Sequence, residues 1–119
     1  MTGKARYLMI ASMDVDPDHE AIFNEVYEQE HIPNLSKVPG VIGATRYKRG
    51  EVVMNIGGEV KTMNIGEAPA YSAIFELESP DVLTSPEWAR AVEQGRWPAL
   101  VRPYCKNRRH VLLTIIEPR

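Results

Sequence analysis

Residues 23–47 read FNEVYEQEHIPNLSKVPGVIGATRY, and this stretch carries the change from helix to strand that decides the fold. Aromatic and imidazole side chains recur every four residues, from Phe23 through Tyr27 to His31. This spacing places them roughly on one helix face, which we expect to lie against a sheet. Pro33 disfavours helical geometry in the residue before it, so the helix is predicted to end or kink there.

The flanking segments extend this pattern into a strand–helix–strand unit. Upstream, residues 6–13 form a short run, RYLMIASM, that is apolar on both alternating faces and therefore typical of a strand buried on two sides. The helix is predicted over residues 17–31. Downstream, Pro39-Gly40 marks a turn, and residues 41–51 are predicted as a second strand.

The second half of the chain repeats this organisation after an insertion. Gly57-Gly58 lies between two β-like arms, which predicts a hairpin with a tight turn. The predicted elements are a hairpin, a strand, a broken helix with one further helical turn, and a last strand, over residues 51–67, 70–78, 80–93, 96–102 and 107–117.

This element order predicts one domain over residues 1–119, of the α+β class. Two βαβ halves form a ferredoxin-like βαββαβ fold, in which an antiparallel sheet carries both helices on one face. The first and last strands are apolar on both faces, so the helix-free face also needs a cover. A second copy of the chain is the simplest cover, and we expect a homodimer.

Composition excludes several classes of function. The formal net charge is −2, so there is no basic field to attract nucleic acid or an anionic membrane. Cys105 is the single cysteine, which excludes an internal disulfide and suits a reducing compartment. The first apolar run is too short for a signal peptide or a membrane span. We therefore expect a cytoplasmic protein.

One pattern of residues resembles a known group of proteins. The pattern consists of Tyr27, His31, Pro33, Pro39-Gly40-Val41 and Arg46-Tyr47. It is similar to the dimeric α+β-barrel superfamily, and most of all to its EthD-like and related small proteins. The resemblance implies a homodimer with a ligand cavity between each sheet and its own helices. The hairpin is longer than the basic family pattern, which suggests an arm that grips the partner or a lid over the cavity.

The resemblance also implies a range of reactions. Relatives include cofactor-free monooxygenases, polyketide cyclases, muconolactone isomerases, decarboxylases and heme enzymes. Our first hypothesis is a cofactor-independent enzyme of the lyase, isomerase, cyclase or decarboxylase type, acting on a small aromatic or conjugated carbonyl compound. The alternatives are a cofactor-free monooxygenase and a non-catalytic, small-molecule-binding or stress-associated dimer. We expect no cofactor and no metal, since no residue spacing matches a metal site.

Three helix residues are the catalytic candidates. His31 lies near a helix C-terminus beside Glu30, which favours its charged form and a pKa near neutral, as proton transfer requires. Tyr27 lies one turn earlier and is within reach of His31. The alternative is structural: His31 bonds to the turn that ends the helix, and Glu30 pairs with Arg46 or Lys37.

The substrate-binding candidates are aromatic residues and one arginine. Buried tyrosines offer an apolar ring and a hydroxyl donor, and a guanidinium binds a carboxylate or an enolate. Packing in the core is the alternative for the aromatic residues. The candidates are Phe23, Arg46, Tyr47, Tyr71, Trp88 and Trp97.

Overall fold

A four-stranded antiparallel sheet and a separate two-stranded hairpin form the framework of the chain, in a computed structural model that describes residues 5–117. The sheet has the order β2-β5-β1-β6. This arrangement confirms the predicted ferredoxin-like α+β fold. The predicted domain covers residues 1–119, of which residues 1–4 and 118–119 lie outside the described part of the chain. The strands are β1 (Tyr7–Val15), β2 (Val41–Lys48), β3 (Val53–Ile56), β4 (Glu59–Thr62), β5 (Tyr71–Leu77) and β6 (Cys105–Thr114).

The first helical region continues past its proline. It comprises a 3-10 turn (Pro17–His19), α1 (Glu20–Val26), a first π segment (Tyr27–His31) and α2 (Ile32–Ser36). Ile32 keeps helical dihedral angles, and its N–H donates to the Tyr27 carbonyl five residues back. The predicted end of the helix at Ile32 was therefore wrong, because a wider turn before Pro33 carries the helix through.

The second helical region is broken, as predicted. It comprises a 3-10 turn (Pro80–Thr84), α3 (Pro86–Ala91), a second π segment (Trp97–Val101) and a 3-10 turn (Arg102–Tyr104). Ser79 and Ser85 cap the first two pieces, since the Oγ of each accepts a backbone N–H. The capping serines were visible in the sequence, because each precedes a proline and an acidic residue.

The two π segments share one cause. In each, the residue before a proline donates its N–H to the carbonyl of an aromatic residue five positions back: Ile32 to Tyr27, and Arg102 to Trp97. A proline inside a helix lacks an N–H and crowds the carbonyl four residues before it. The wider π turn ahead of the proline relieves this conflict without ending the helix, and π turns are frequent at functional sites.

The helix-covered face of the sheet forms the core. Alternate residues of β1 and β5 are buried there, because side chains in a strand alternate between faces. Phe23, Val26 and Leu35 of the first helical region are almost fully buried against them. The sheet residues in this layer are Met9, Ala11 and Met13 of β1 and Ala73, Phe75 and Leu77 of β5.

The opposite face of the sheet carries no helix and is apolar at its centre. The strand register places Ile10 opposite both Ile74 and Val111, and Leu8 opposite Leu113. Val111 and Leu113 are 47% and 44% exposed. Contiguous apolar surface of this kind marks an interaction site. Among the described residues, no helix is long and apolar enough to cross a membrane.

The predicted hairpin is present as β3 and β4, which pair only with each other. Gly57 and Gly58 have φ of +63° and +85°, as the tight turn between hairpin strands requires. Every residue of both strands is exposed, including Val60 at 73%. The hairpin therefore projects from the sheet without sharing its core.

Gly40 is the tightest point of the connection into β2. Its φ is +93°, and a Cβ there would lie 2.4 Å from Cγ2 of Val82. Gly40→Ala should therefore lower the free energy of unfolding by about 2–4 kcal/mol, through left-handed strain and overpacking. Gly58→Ala is the matched control, because its φ is also positive but its surroundings are open. Urea titrations that show equal losses for both variants would contradict this account.

Candidate active site

A cavity of about 310 Å³ lies between the helix-covered face of the sheet and the helical segments above it. Most of its wall is apolar or aromatic, and five of its side chains are ionisable. A pocket of this size and composition is typical of a small-molecule site. It is lined by Met9, Ala11, Met13, Tyr27, His31, Leu35, Phe75, Leu83, Trp88, Val92, Trp97, Arg102, Arg108 and His110.

His31 is the buried imidazole of this wall. Only 6% of it is exposed. Its ring stacks on Trp97, with centroids 3.8 Å apart and planes within 9°, and it meets the edge of Tyr27 at 5.2 Å. Tyr27 and Trp97 are themselves edge to face at 4.9 Å. These rings come from the two π segments, so the paired wide turns place the imidazole in the cavity wall.

The surroundings of His31 keep its imidazole neutral. Burial is the main reason that its pKa falls to about 4, and the nearby Arg102 cation lowers it further. Glu93 acts in the opposite direction but more weakly. Nδ1 of His31 is buried without a hydrogen-bond partner among the described residues. The expectation of a favoured charged form and a pKa near neutral was wrong, because desolvation outweighs the helix C-terminus.

Glu30 does not face the cavity. Its carboxylate accepts a hydrogen bond from the Arg96 backbone N–H at 2.8 Å and binds the Arg96 guanidinium, which lowers its pKa. Arg96 also pairs with Glu25 at 2.7 Å. The predicted catalytic partner of His31 is therefore an anchor that fixes the chain just before Trp97. Its predicted ion-pair partners, Arg46 and Lys37, are replaced by Arg96.

Tyr27 lines the cavity beside His31 and is 3% exposed. Burial raises the pKa of its phenol well above its usual value, which keeps the hydroxyl protonated. The hydroxyl is therefore able to donate a hydrogen bond and is not a base at neutral pH.

Three other candidates form a closed cluster next to the cavity. Arg46 donates to the Asn24 side chain at 2.7 Å, and its guanidinium lies 4.6 Å from the centre of the Tyr27 ring. The Tyr71 hydroxyl donates to Glu20, and Phe23 is fully buried. None of Phe23, Arg46 and Tyr71 is in the cavity wall, so they support Tyr27 from behind.

The remaining candidates divide between the two faces of the sheet. Trp88 and Trp97 line the cavity, and Trp88 meets Phe75 edge to face at 5.5 Å. Tyr47 lies outside it, 54% exposed on the helix-free face, because Arg46 beside it in β2 points to the helices. Tyr47 is therefore not placed to contact a ligand in this cavity.

Sequence reasoning missed the basic end of the cavity and two of its methionines. Met9 and Met13 belong to the buried register of β1, so strand alternation alone could have identified them. Arg102, Arg108 and His110 line one side of the opening. The run Arg108-Arg109-His110 has the signature of surface charge, and alternation would have separated Arg109 from its neighbours.

The described residues hold few groups that could bind a metal. Between residues 5 and 117, no three His, Cys, Asp or Glu side chains are clustered for one ion. The cavity wall contains two imidazoles, His31 and His110, on elements from opposite halves of the chain.

No family model and no curated protein matches the chain. The heme degrader MhuD from Mycobacterium tuberculosis, solved with two hemes in its active site, matches in structure with a TM-score of 0.54. It is 9% identical, and the match covers 95% of this chain and 98% of that one.

A second solved structure also matches the fold of this chain. It is an EthD family protein from Bacillus halodurans, with a TM-score of 0.50 and 13% identity, over 92% of this chain and 99% of that one. The chain has their ferredoxin-like fold. At these identities the likeness shows the fold alone, and the resemblance to EthD-like proteins seen in the sequence is supported at that level.

The low pKa of His31 makes stability depend on pH. Between pH 7 and pH 5 the unfolded chain protonates His31, whose ordinary pKa is 6.5, while the folded chain excludes the proton. The free energy of unfolding should therefore fall by about 2 kcal/mol over this interval from this group. Urea unfolding of the wild type and His31→Gln at both pH values measures it. An equal pH dependence in the variant would contradict the assignment.

Proposed function

We propose that the cavity binds a small, flat, aromatic or conjugated carbonyl compound, and that neutral His31 takes a proton from it. The observation that carries this proposal is the enclosed stack of His31 on Trp97 in the wall of a mostly apolar cavity. Flat rings pack well against such a surface. No acidic side chain of the described residues forms an ion pair or a hydrogen bond with His31, so a ligand can serve as its proton donor.

The chemistry follows from the change of charge during proton transfer. A base whose conjugate acid has a pKa of about 4 is weak when the cavity is empty. An enolate or phenolate formed beside His31 would raise that pKa, because opposite charges at short range favour the charged imidazole. Tyr27 supplies a hydroxyl donor for the developing oxyanion. Isomerase, lyase, cyclase or decarboxylase chemistry of the cofactor-independent kind would use these steps.

Two other functions use the same cavity. In a cofactor-free monooxygenase, the deprotonated ligand itself would supply the electrons to O₂. In a non-catalytic binding protein, His31 would only accept a hydrogen bond. The low pKa of His31 is the observation that favours binding without catalysis, since a weak base removes only acidic protons.

We further propose that the chain forms a homodimer through its helix-free face. The row formed by Ile10, Ile74 and Val111 would otherwise leave apolar surface in water. A second copy offers the same row, and twofold interfaces are self-complementary. The cytoplasm stays the expected location, and nucleic acid is an unsuitable partner at a net charge of −2.

The proton-transfer role can be tested with 2-tetralone, a ketone fused to an aromatic ring, with acidic C–H bonds next to its carbonyl. The wild type should accelerate exchange of these protons for deuterium in D₂O, followed by NMR. His31→Gln should reduce that acceleration about 10²-fold, because the substitution removes the base. His19→Gln is the control, since His19 stacks on Tyr104 outside the cavity wall.

The same measurement separates catalysis from binding. If the wild type binds 2-tetralone by calorimetry but leaves exchange at the rate in buffer, the binding function stands and the catalytic one falls. If His31→Gln exchanges as fast as the wild type, His31 is not the base.

The dimer is tested by sedimentation. The wild type should sediment at twice the 13.4 kDa of one chain, and Ile74→Lys should sediment as a monomer, because it buries a charge in the interface. Ala89→Lys adds the same charge at an exposed position of α3 and should stay dimeric. A sedimenting mass of 13.4 kDa for the wild type at micromolar concentration would contradict the proposed dimer.

A further inference from the structure

Among residues 5–117, one positive charge at the opening of the cavity has no counter-ion. Arg102 is paired there with Glu93, at 2.9 Å between Nη1 and Oε1. Arg108 lines the same opening, and among residues 5–117 no carboxylate forms an ion pair with it. His110 completes this side, and its pKa is lowered by burial and by Arg108. The opening therefore presents Arg108 as an unneutralised cation.

Arg108 is held in place by a local irregularity of β6. Arg109 pairs with Ser12 and Lys106 with Asp14, so two residues of β6, Asn107 and Arg108, lie opposite the single residue between them on β1. That residue is Met13, a member of the cavity wall. Bulges of this kind commonly direct a side chain toward a site.

The bulge is built on a strained residue. Asn107 has a φ of +51°, and no other residue except glycine has a positive φ in the described part of the chain. Its side-chain amide donates to Asp14 at 3.0 Å and to the Glu67 carbonyl at 2.7 Å, which stabilises this conformation. The Arg108 guanidinium donates to the Arg102 carbonyl at 2.9 Å. The bulge thus fixes the Arg108 backbone, and the Arg102 carbonyl holds its guanidinium.

We propose that Arg108 binds a carboxylate on the molecule that enters the cavity, an inference that rests on the proposed function and names its substrate class. The ligand is a flat aromatic or conjugated acid, with its ring against His31 and Trp97 and its carboxylate at the opening. A guanidinium matches a carboxylate with two parallel hydrogen bonds. Asn107 is the positioning residue that directs Arg108 to this place.

The test compares two flat probes of nearly equal shape, 2-naphthoate and 2-naphthamide, by calorimetry at pH 7. The wild type should bind the acid about tenfold more tightly than the amide, because one charged hydrogen-bonded contact contributes about that factor in affinity. Arg108→Gln should weaken binding of the acid about tenfold and leave the dissociation constant of the amide unchanged. Arg90→Gln removes an exposed arginine of α3 outside the cavity wall, and it should leave both dissociation constants unchanged.

The outcomes separate this inference from the proposed function. Equal binding of acid and amide by the wild type overturns the inference and leaves the cavity as an aromatic site. Equal weakening of both probes by Arg108→Gln also overturns it, since the arginine would then act on the shape of the cavity. Failure of the wild type to bind either probe overturns the proposed function and the inference together.

Discussion

The stacking of His31 on Trp97 is the contact on which the site depends, because it joins two helical segments from opposite halves of the chain. Each segment is a π turn that ends before a proline, so each aromatic ring is presented by the same backbone device. Together with Tyr27 they close one side of the cavity over the sheet. Packing of rings and backbone geometry, rather than a network of charges, thus builds the wall.

The charged residues around this wall are arranged so that most neutralise one another outside it. Glu30 is bound by Arg96 and Glu93 by Arg102, which leaves His31 in surroundings that favour its neutral form. At the opening of the cavity, Arg108 forms no ion pair with a carboxylate of the described residues. The interior of the cavity is therefore mostly apolar, while its opening carries positive charge.

The sequence predicts the features that depend on local pattern, and misses those that depend on distant contacts. Strand alternation, the capping serines and the Gly57-Gly58 turn are local, and element order then leads to the fold. Glu30 meets its partner Arg96 sixty-six positions away, which no spacing rule reveals. The turn before Pro33 was missed because local sterics favour a break there, and packing against Trp97 supports continuation instead. The bulge at Asn107 similarly needs its bonds to Asp14 and Glu67.

The two π segments also make the length of the chain critical at particular places. Each holds one residue more than a regular α-helical turn, and one helical residue corresponds to a rotation of about 100°. Loss of a single codon within residues 27–31 would restore regular winding and turn the imidazole out of register with the segments that follow. The hairpin tip at residues 57–58 sets no helical register. Insertions and deletions among descendants of this sequence should therefore accumulate there.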